Sequence, residues 1–383
     1  MEKNQRENKV MKTSDSIPHD LLFEILLRLP VKSVTRFISV SNLFASIIRS
    51  QGFMKSFSLR SSKQKQCLLL AYDGVDEEKV DKNWFFISSS EKSSSPVMLS
   101  RMACLHAPEL SRYTPPRVSC VHGLLSFVYG EEQIIINPSN GKYITLRSVK
   151  SRRKVLKRFF GYDPVDGQHK VLCLTEPMFG SGTRVAASGQ CQVLTLESSL
   201  KNLWRQIKCS IPHRPQSEGL CTNGVLYYYA HMGKEFMEPS LVRFDVRSET
   251  FEFLTKLPVE IQNSLKSSNL ISYKGNVASA TSRSHYSYDL WLLEDFKKQQ
   301  WIKVNLSASP NTTKRYSPID LRGIAHTGEV IYASLYLDNF YLIIHDRDTN
   351  VFKVVDIIVN SYKSVGFAGV VCFIDFVESV MFS

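Results

Sequence analysis

The apolar residues of this chain follow two different spacings, and the change between them falls near residue 60. From Ile17 to Phe57 they recur at three- and four-residue intervals, which is the spacing of a helix. After Cys67 the apolar runs are short, and turns rich in Gly, Asn, Asp and Pro separate them. The pattern therefore predicts a small helical unit followed by a large all-β region.

Proline and serine residues mark the ends of three predicted helices in the first unit. The first helix is predicted to begin at Pro18, where a missing N–H costs nothing, and to end at Pro30. Ser33 is suited to cap a second helix, and Ser41 a third that ends before Gly52. Three short helices bury little surface by themselves, so we expect another surface to cover part of their apolar face.

Glycine turns recur along the β region at a nearly constant interval. Four of them precede a strand, and the steps between them are 101, 51 and 53 residues, the first being about two periods: Gly123, Gly224, Gly275 and Gly328. A second signature places Asn or Asp six residues before an aromatic side chain, as with Asp245 and Phe251. A period of about fifty residues made of short antiparallel strands predicts the blades of a β-propeller.

The β region has room for about six such blades. They are predicted to centre on residues 67–115, 117–150, 155–210, 217–257, 268–306 and 320–358. The strands between Val365 and Phe382 are expected to pair back onto the first blade, which would close the ring. An open or two-sheet β-sandwich is the rival architecture. The fold class predicted for the whole chain is thus a small three-helix unit followed by a β-propeller-like domain.

The helical unit begins with an ordered run of residues, Ile17-Pro18-His19-Asp20-Leu21-Leu22-Phe23-Glu24-Ile25-Leu26-Leu27-Arg28-Leu29-Pro30-Val31-Lys32-Ser33-Val34, then Arg36-Phe37 and Val40-Ser41. This run resembles the F-box of plant F-box proteins. The resemblance implies that the helices bind the Skp adaptor of a cullin-RING ubiquitin ligase. The positions expected in that interface, or in the small core beneath it, are Pro18, Leu21, Leu22, Ile25, Leu26, Leu29, Pro30, Val34 and Phe37.

A second resemblance is carried by three stretches of the β region: Asn137-Pro138 with Tyr143, Gly161-Tyr162-Asp163-Pro164, and Asn223-Gly224-Val225-Leu226-Tyr227 with Phe244-Asp245. The region is similar to the F-box-associated interaction domain of a large plant family, and its period is kelch-like although the diglycine pair of kelch repeats is missing. The resemblance implies that this region recruits a protein substrate for ubiquitination. The expected domains are a disordered segment over 1–12, an F-box over 13–60 and a propeller-like domain over 61–383.

Charge adds one question to this picture. The chain carries a net charge of +12, and its densest basic run is Lys150, Arg152, Arg153, Lys154, Lys157 and Arg158. We interpret this run as a solvated loop between two strands, with a nuclear-localisation or polyanion-binding patch as the alternative. Charge alone does not indicate a nucleic-acid-binding protein, because the remaining basic residues are spread along the chain.

Motifs of catalysis and metal binding are missing from the sequence. The eight cysteines form no CxxC pair, and there is no GxSxG, HExxH, P-loop or Rossmann signature. The longest strongly apolar stretch, Val365 to Ile374, is about half a membrane span. We therefore expect a non-catalytic adaptor with no cofactor, no metal and no membrane partner. Free thiols favour a reducing location inside the cell, in the cytoplasm or the nucleus.

Two other functions stay open at this point. A stand-alone propeller would bind a small molecule or a glycan, or hydrolyse one, with the helical segment acting only as its cap. Binding of nucleic acid through the basic run would depend steeply on salt concentration. Neither function has a sequence motif that supports it, so substrate recruitment by a ligase subunit is the leading hypothesis.

Overall fold

A computed structural model describes most of the chain after residue 16. The described ranges are 17–63, 67–75, 82–89, 100–106, 117–129, 132–146, 149, 153–177, 190–196, 203–209, 211–233, 236–265, 268–284, 287–307, 319–334, 340–356 and 370–382. Five helices are present in them: α1 (His19–Leu27), α2 (Val31–Phe37), α3 (Asn42–Arg49), α4 (Gln51–Lys63) and α5 (Val259–Asn263). The predicted disordered segment 1–12 lies outside the described residues, and the domain limits 13–60 and 61–383 stay predictions, although α4 crosses residue 60.

The start of the second helix differs from the prediction. Ser33 does not cap α2, because the helix begins two residues earlier, at Val31, with Pro30 as its N-cap. The carbonyl of Pro30 accepts hydrogen bonds from the backbone N–H groups of Ser33 and Val34, so Ser33 is already inside the first turn. The predicted cap at Ser41 is confirmed, since its side chain accepts a bond from the backbone N–H of Phe44 at 3.2 Å.

The helix α4 was not predicted. The third predicted helix does end before Gly52, since α3 stops at Arg49 and Ser50 is extended. A new helix then begins at Gln51, and its Phe53 and Phe57 are buried in the core of the helical unit. Burial of these two aromatic side chains stabilises a segment whose local sequence, with Gly52 in the first turn, does not by itself favour a helix.

The β region folds into six separate antiparallel sheets, each corresponding to one predicted blade. Blade 1 contains β1 (Cys67–Val75), β2 (Lys82–Ser89), β3 (Ser100–His106) and β25 (Val370–Phe376). Blade 2 contains β4 (Arg117–Val121), β5 (Leu124–Tyr129), β6 (Glu132–Ile136) and β7 (Tyr143–Leu146). Blade 3 contains β8 (Arg153–Asp163), β9 (Gln168–Pro177), β10 (Gln190–Thr195) and β11 (Arg205–Ile207).

The second half of the β region repeats this design. Blade 4 contains β12 (Arg214–Pro215), β13 (Leu220–Thr222), β14 (Val225–Met232), β15 (Glu238–Asp245) and β16 (Thr250–Leu254). Blade 5 contains β17 (Asn269–Tyr273), β18 (Asn276–Ser284), β19 (Ser287–Asp295) and β20 (Gln300–Ser307). Blade 6 contains β21 (Ile319–Ile324), β22 (Val330–Ser334), β23 (Tyr341–Asp346) and β24 (Val351–Asp356). In blade 4 the innermost strand is broken, since β12 and β13 both pair with the same edge of β14.

The innermost strands of the blades form a closed ring. Strand β25 contacts β4, β4 contacts β8, and β8 contacts both β12 and β13. Strand β13 contacts β17, β17 contacts β21, and β21 contacts β25 again. The ring closes inside blade 1, where β25 pairs antiparallel with β1 and places Cys372 opposite Leu70. This closure was predicted from the strands after Val365. The fold is therefore a six-bladed β-propeller, and the rival β-sandwich is wrong.

The hydrophobic core of the propeller lies between blades rather than at one centre. Six clusters of buried apolar side chains are present, one at each boundary between neighbouring blades. At the boundary of blades 3 and 4, for example, Phe159 stacks on Tyr228 with ring centroids 4.2 Å apart. Each blade is apolar on both faces because a neighbour covers each of them.

The predicted glycine turns join the first two strands of several blades. In blades 2, 4 and 5 the turn has two residues with positive φ, the second of them Gly123, Gly224 or Gly275. Two positive φ values define the type I′ turn that suits the twist of a hairpin. The residues that recur along the sequence are therefore those that form the turn of one repeated hairpin. None of the helices in the described ranges has the length and apolar character to span a bilayer.

Candidate functional site

The helical unit has a compact core of its own. Helices α1 to α4 pack around a cluster of buried residues: Leu22, Leu26, Val31, Val34, Ile47, Ile48, Phe53 and Phe57. The rings of Phe23 and Phe53 meet edge to face with centroids 5.2 Å apart, which fixes α1 against α4. This core leaves one side of α1 uncovered.

The nine residues predicted for adaptor binding fall into three groups. The buried group consists of Leu22, Leu26 and Val34. The half-buried group consists of Leu29 and Phe37. The exposed group consists of Pro18, Leu21, Ile25 and Pro30. The sequence could not distinguish buried positions from exposed ones, because Leu21, Leu22, Ile25 and Leu26 have similar apolar side chains. They differ only in the side of α1 on which they lie.

The exposed group forms an apolar surface on α1. Leu21 is 55% exposed and Ile25 is 50% exposed, and they lie four residues apart on one side of the helix. Ile17, just before the helix, is also exposed. We call Ile17, Leu21 and Ile25 the docking face. Large apolar side chains that stand together in solvent are a common mark of a protein–protein interface.

Two further exposed apolar residues were not among the predicted ones. Val40 lies before α3 and Leu43 lies in its first turn, and both are largely exposed. Leu43 has the helical spacing of an apolar face in α3, yet only Ile47 and Ile48 of that helix are buried. Exposure of a residue at a helix end depends on what packs beside it, which periodicity does not report.

The helical unit is fixed to the propeller by polar contacts from α4. Gln51 donates from Nε2 to the backbone oxygen of Asp166 at 2.8 Å, and Lys55 donates from Nζ to the backbone oxygen of Val165 at 2.5 Å. Both oxygens belong to the turn between β8 and β9 in blade 3. Ser58 is hydrogen bonded to Nε2 of His122, in the turn between β4 and β5 of blade 2. Three side chains of one helix thus contact two neighbouring blades.

A short stretch after β25 completes the attachment; we call residues 377–382 the closing segment. Its Val380 is buried in the core of the helical unit, while Met381 is buried between blades 2 and 3. Asn137 donates from Nδ2 to the backbone oxygens of Ser379 and Met381, both at 2.8 Å. One short segment therefore packs into both domains, which fixes the docking face relative to the propeller.

A cavity at this junction has a volume of about 240 Å³ and is lined by residues of both domains. His169 is buried and His122 half-buried in it, and desolvation lowers the pKa of His122 to about 4 and that of His169 to about 3. Both imidazoles are therefore neutral near pH 7, where a general acid or base would need a pKa close to 7. Among the described residues, no group of three or more His, Cys, Asp or Glu side chains is arranged to hold a metal ion.

Comparison with protein families identifies both the helical unit and the β region. Residues 14–56 match the F-box domain, and residues 67–377 match the family described as the F-box associated beta propeller domain. The chain belongs to the F-box proteins. Both resemblances found in the sequence are thereby confirmed, and the F-box corresponds to the helical unit and the propeller to the six blades.

Curated F-box proteins of Arabidopsis thaliana are similar to the chain over most of its length. Putative F-box protein At5g15660 is 43% identical over 350 residues, which covers 88% of this chain and 76% of the relative. F-box protein At1g47810 is 38% identical over 354 residues, covering 86% of this chain and 98% of the relative. The chain is therefore a plant F-box protein.

Solved structures resemble the chain more weakly. TolB from Acinetobacter baumannii aligns with a TM-score of 0.42 and 13% sequence identity, covering 79% of this chain and 66% of that one. The assignment of six blades rests instead on the strand order and on the closed ring of inner strands. An F-box joined to a propeller fits, in general terms, a substrate-recognition subunit of an SCF-type ligase, and neither matched family is a catalytic one.

Proposed function

We propose that this F-box protein is the substrate-recognition subunit of an SCF-type ubiquitin ligase, in which the F-box binds the Skp adaptor and the propeller recruits a protein substrate. The observation that carries the proposal is the docking face. Ile17, Leu21 and Ile25 are exposed to solvent on a unit that has a packed core of its own. Burying an exposed Leu or Ile side chain contributes about 1.5 to 3 kcal/mol when the burial is complete. An adaptor that covers this face would also stabilise the small F-box by mass action.

The proposed role in ubiquitin transfer is one of proximity. A receptor that holds substrate and ligase in one assembly raises the effective concentration of substrate lysines near the conjugating enzyme. No catalytic residue of this chain takes part. A fixed connection between the F-box and the propeller supports this role, because α4 and the closing segment limit the positions that a bound substrate can take.

The adaptor contact is tested by placing a charge on the docking face. Leu21→Asp keeps the core of the F-box intact, because Leu21 is exposed, but it puts a carboxylate where the adaptor would bury an apolar side chain. We expect binding to the Skp adaptor, measured by calorimetry with the purified full chain, to weaken by about a hundredfold or more. Leu203→Asp is the matched control, since Leu203 is an exposed leucine in blade 3.

Two outcomes would contradict the adaptor contact. One is a folded wild-type chain that fails to bind the adaptor, and the other is a Leu21→Asp chain that binds as well as the Leu203→Asp chain. Leu26→Asp is unsuited to this test, although Leu26 was in the predicted set. Its side chain is only 1% exposed, so a carboxylate there would unfold the F-box whatever surface binds the adaptor.

A stand-alone module for a small molecule or glycan receives less support from the described residues. The cavity between the F-box and the propeller measures about 240 Å³, and a second one, between blades 2 and 3, measures about 60 Å³. Sites for drug-sized ligands usually enclose roughly 300 to 1,000 Å³. As a ligase receptor the chain would work inside the cell, in the cytoplasm or the nucleus, where its free thiols would be stable.

A further inference from the structure

The densest basic run of the sequence lies in a strand rather than in a loop. Arg153, Lys154, Lys157 and Arg158 all belong to β8, the innermost strand of blade 3, while Lys150 and Arg152 lie outside the described residues. The interpretation of the run as a solvated loop is therefore wrong for these four residues. A bulge between Val155 and Lys157 shifts the register, and neighbouring blades flank the strand on both sides, so Lys157 and Arg158 are both buried.

These cations lie at the end of the propeller that is away from the F-box. The F-box contacts the turn after β8, at Val165 and Asp166, whereas the basic residues lie at the beginning of β8. Lys154 lies nine positions before Asp163 in the strand, which corresponds to about 30 Å. The first residues of the inner strands β4 and β12, Arg117 and Arg214, are at the same end. The surface is therefore free when the docking face is occupied.

Cations from three blades gather here around two carboxylates. We call the four that contact these carboxylates the basic rim: Arg117, Lys154, Lys157 and Arg214. Glu218 lies between two of them, with its Oε1 atom 3.4 Å from Nε of Arg117 and 2.5 Å from Nζ of Lys157. Glu176 is shared in the same way, 3.8 Å from Nζ of Lys154 and 3.4 Å from Nη2 of Arg214.

The charges of the basic rim are not balanced by the described carboxylates around it. Four positive charges meet two negative ones, so this set of side chains keeps an excess of two positive charges. The side chains of Arg117 and Lys154 remain mostly exposed, at 58% and 68%. Lys157, in contrast, is 8% exposed, and a buried ammonium group requires a negative partner. Desolvation lowers the pKa of Lys157, and the carboxylate of Glu218 opposes that shift.

We propose that the basic rim binds an acidic segment of the recruited protein, whose carboxylate or phosphate groups enter between the cations that Glu218 and Glu176 bridge in the free chain. The inference rests on the proposed function, since it names the class of substrate that the propeller takes. Glu218 is exposed in a short loop between β12 and β13, so an incoming anion can displace it from Arg117 and Lys157. The chain's own carboxylate thus occupies the site in the way a ligand would.

A peptide fits this surface better than a nucleic acid does. The small cavity beside Lys157 is lined by both valine and serine side chains, so it offers apolar and polar contacts to an extended peptide: Val118, Val128, Val155, Ser119 and Ser126. The cations of the basic rim are confined to three adjacent blades. Single-stranded nucleic acid is bound instead along a charged groove that tracks its backbone.

The test uses fluorescence anisotropy with the purified full chain and short fluorescein-labelled probes. The probes are a Glu-rich peptide, the same peptide with Gln in place of Glu, a phosphoserine peptide, and a single-stranded RNA. We expect the two acidic peptides to bind, the Gln peptide to show no binding, and affinity to fall as salt is raised. The stronger of the two acidic peptides identifies whether carboxylate or phosphate is preferred.

Variants at exposed positions assign the binding to the basic rim. Arg117→Ala combined with Lys154→Ala should weaken binding of the acidic peptides by about tenfold, because two solvent-accessible cations are lost. Lys142→Ala combined with Lys298→Ala removes the same charge from two exposed lysines in turns on the F-box side of the propeller, and should leave the affinity within about twofold. Glu218→Gln should bind the acidic peptides more tightly, by about threefold, because the internal competitor is neutral.

The outcomes separate this inference from the proposed function. Equal weakening by the two double variants, no binding of either acidic peptide, or tighter binding of RNA than of both peptides would overturn the acidic-segment site. Adaptor binding is measured on the same samples and should survive Arg117→Ala with Lys154→Ala. If adaptor binding is normal and peptide binding is absent, only the inference fails. If the peptides bind through the basic rim but the adaptor does not bind, the ligase role fails instead.

Discussion

Neighbouring apolar residues of α1 lie in two different environments. Leu22 and Leu26 point into the core of the F-box, where almost no water reaches them, while Leu21 and Ile25 point outward. A fully buried leucine is stabilised by transfer from water and by contacts on every side, which an exposed one lacks. The same residue type therefore contributes to folding at one position and, in the proposed function, to adaptor binding at the next.

Alanine at these two positions should separate folding from binding. Leu26→Ala leaves a cavity in the F-box core and should lower its free energy of unfolding by about 2 to 5 kcal/mol. Leu21→Ala should change that free energy by less than about 0.5 kcal/mol. Urea unfolding followed by circular dichroism at helical wavelengths measures both. A Leu21→Ala chain as destabilised as Leu26→Ala would contradict the exposure of Leu21.

The buried histidines should make stability depend on pH. Burial lowers the pKa of His122 to about 4 from an ordinary value of 6.5, so the unfolded chain binds a proton that the folded chain does not bind between these values. The stability contribution is complete above pH 6.5 and is lost as the pH falls towards 4. We expect the urea midpoint to fall between pH 7 and pH 5, and to fall less in His122→Gln, which keeps a hydrogen-bonding side chain opposite Ser58.

The recurring element of the propeller is a hairpin whose turn also contacts the next blade. In blade 4 the turn residue Asn223 has a φ of 49°, and its Nδ2 atom donates to the backbone oxygen of Gly275 in blade 5 at 2.9 Å. Thr222 donates to the same oxygen at 3.2 Å. The same few residues therefore form the turn and connect two blades. This double role explains why the turn residues recur along the sequence.

Substitutions of Asn223 should separate these two contributions. Asn223→Gly keeps a backbone that accepts positive φ and loses only the hydrogen bond, so it should cost about 0.5 to 1.5 kcal/mol. Asn223→Ala loses the bond and also strains the turn, and should cost about 1 kcal/mol more. Thermal unfolding of both variants is the measurement. Equal stability of the Gly and Ala variants would show that the turn carries no strain.

The sequence predicted the elements whose signal is local. Turn glycines, the cap at Ser41 and the alternation of short strands are set by residues close together in the chain, and the blade limits followed from them. Helix α4 was missed because it is stabilised by the burial of Phe53 and Phe57 against other helices, which local preference does not report. The division of the predicted binding residues into buried and exposed groups depends on the same tertiary contacts. The basic rim was missed for a related reason, since Arg117 and Arg214 lie far from β8 in the sequence.

At the scale of the whole molecule, the closing segment holds the two domains in one arrangement. Val380 belongs to the core of the F-box although more than three hundred residues separate it from the rest of that core. Gly123, in the turn between β4 and β5, lies so close to this segment that an added Cβ would stand 2.6 Å from the backbone oxygen of Val377. The orientation of the docking face relative to the basic rim therefore depends on the packing of a few residues.

A charge at Val380 should release the F-box from the propeller. Val380→Asp places a carboxylate in an apolar core, while the six blade boundaries are left unchanged. We expect faster proteolytic cleavage between α4 and β1 and a larger radius of gyration in solution scattering, with the unfolding midpoint of the propeller retained. Val351→Asp, at an exposed valine in blade 6, is the control. Unchanged cleavage in Val380→Asp would show that the contacts of α4 alone hold the domains.

The order of synthesis on the ribosome also makes the packing of both domains depend on the closing segment. The F-box emerges first and β25 emerges after all of the other strands, so a nascent chain has an open ring and an F-box core without Val380. A chain released early by a translation error would keep both defects. Only after residues 370–382 have been synthesised can both domains reach their final packing.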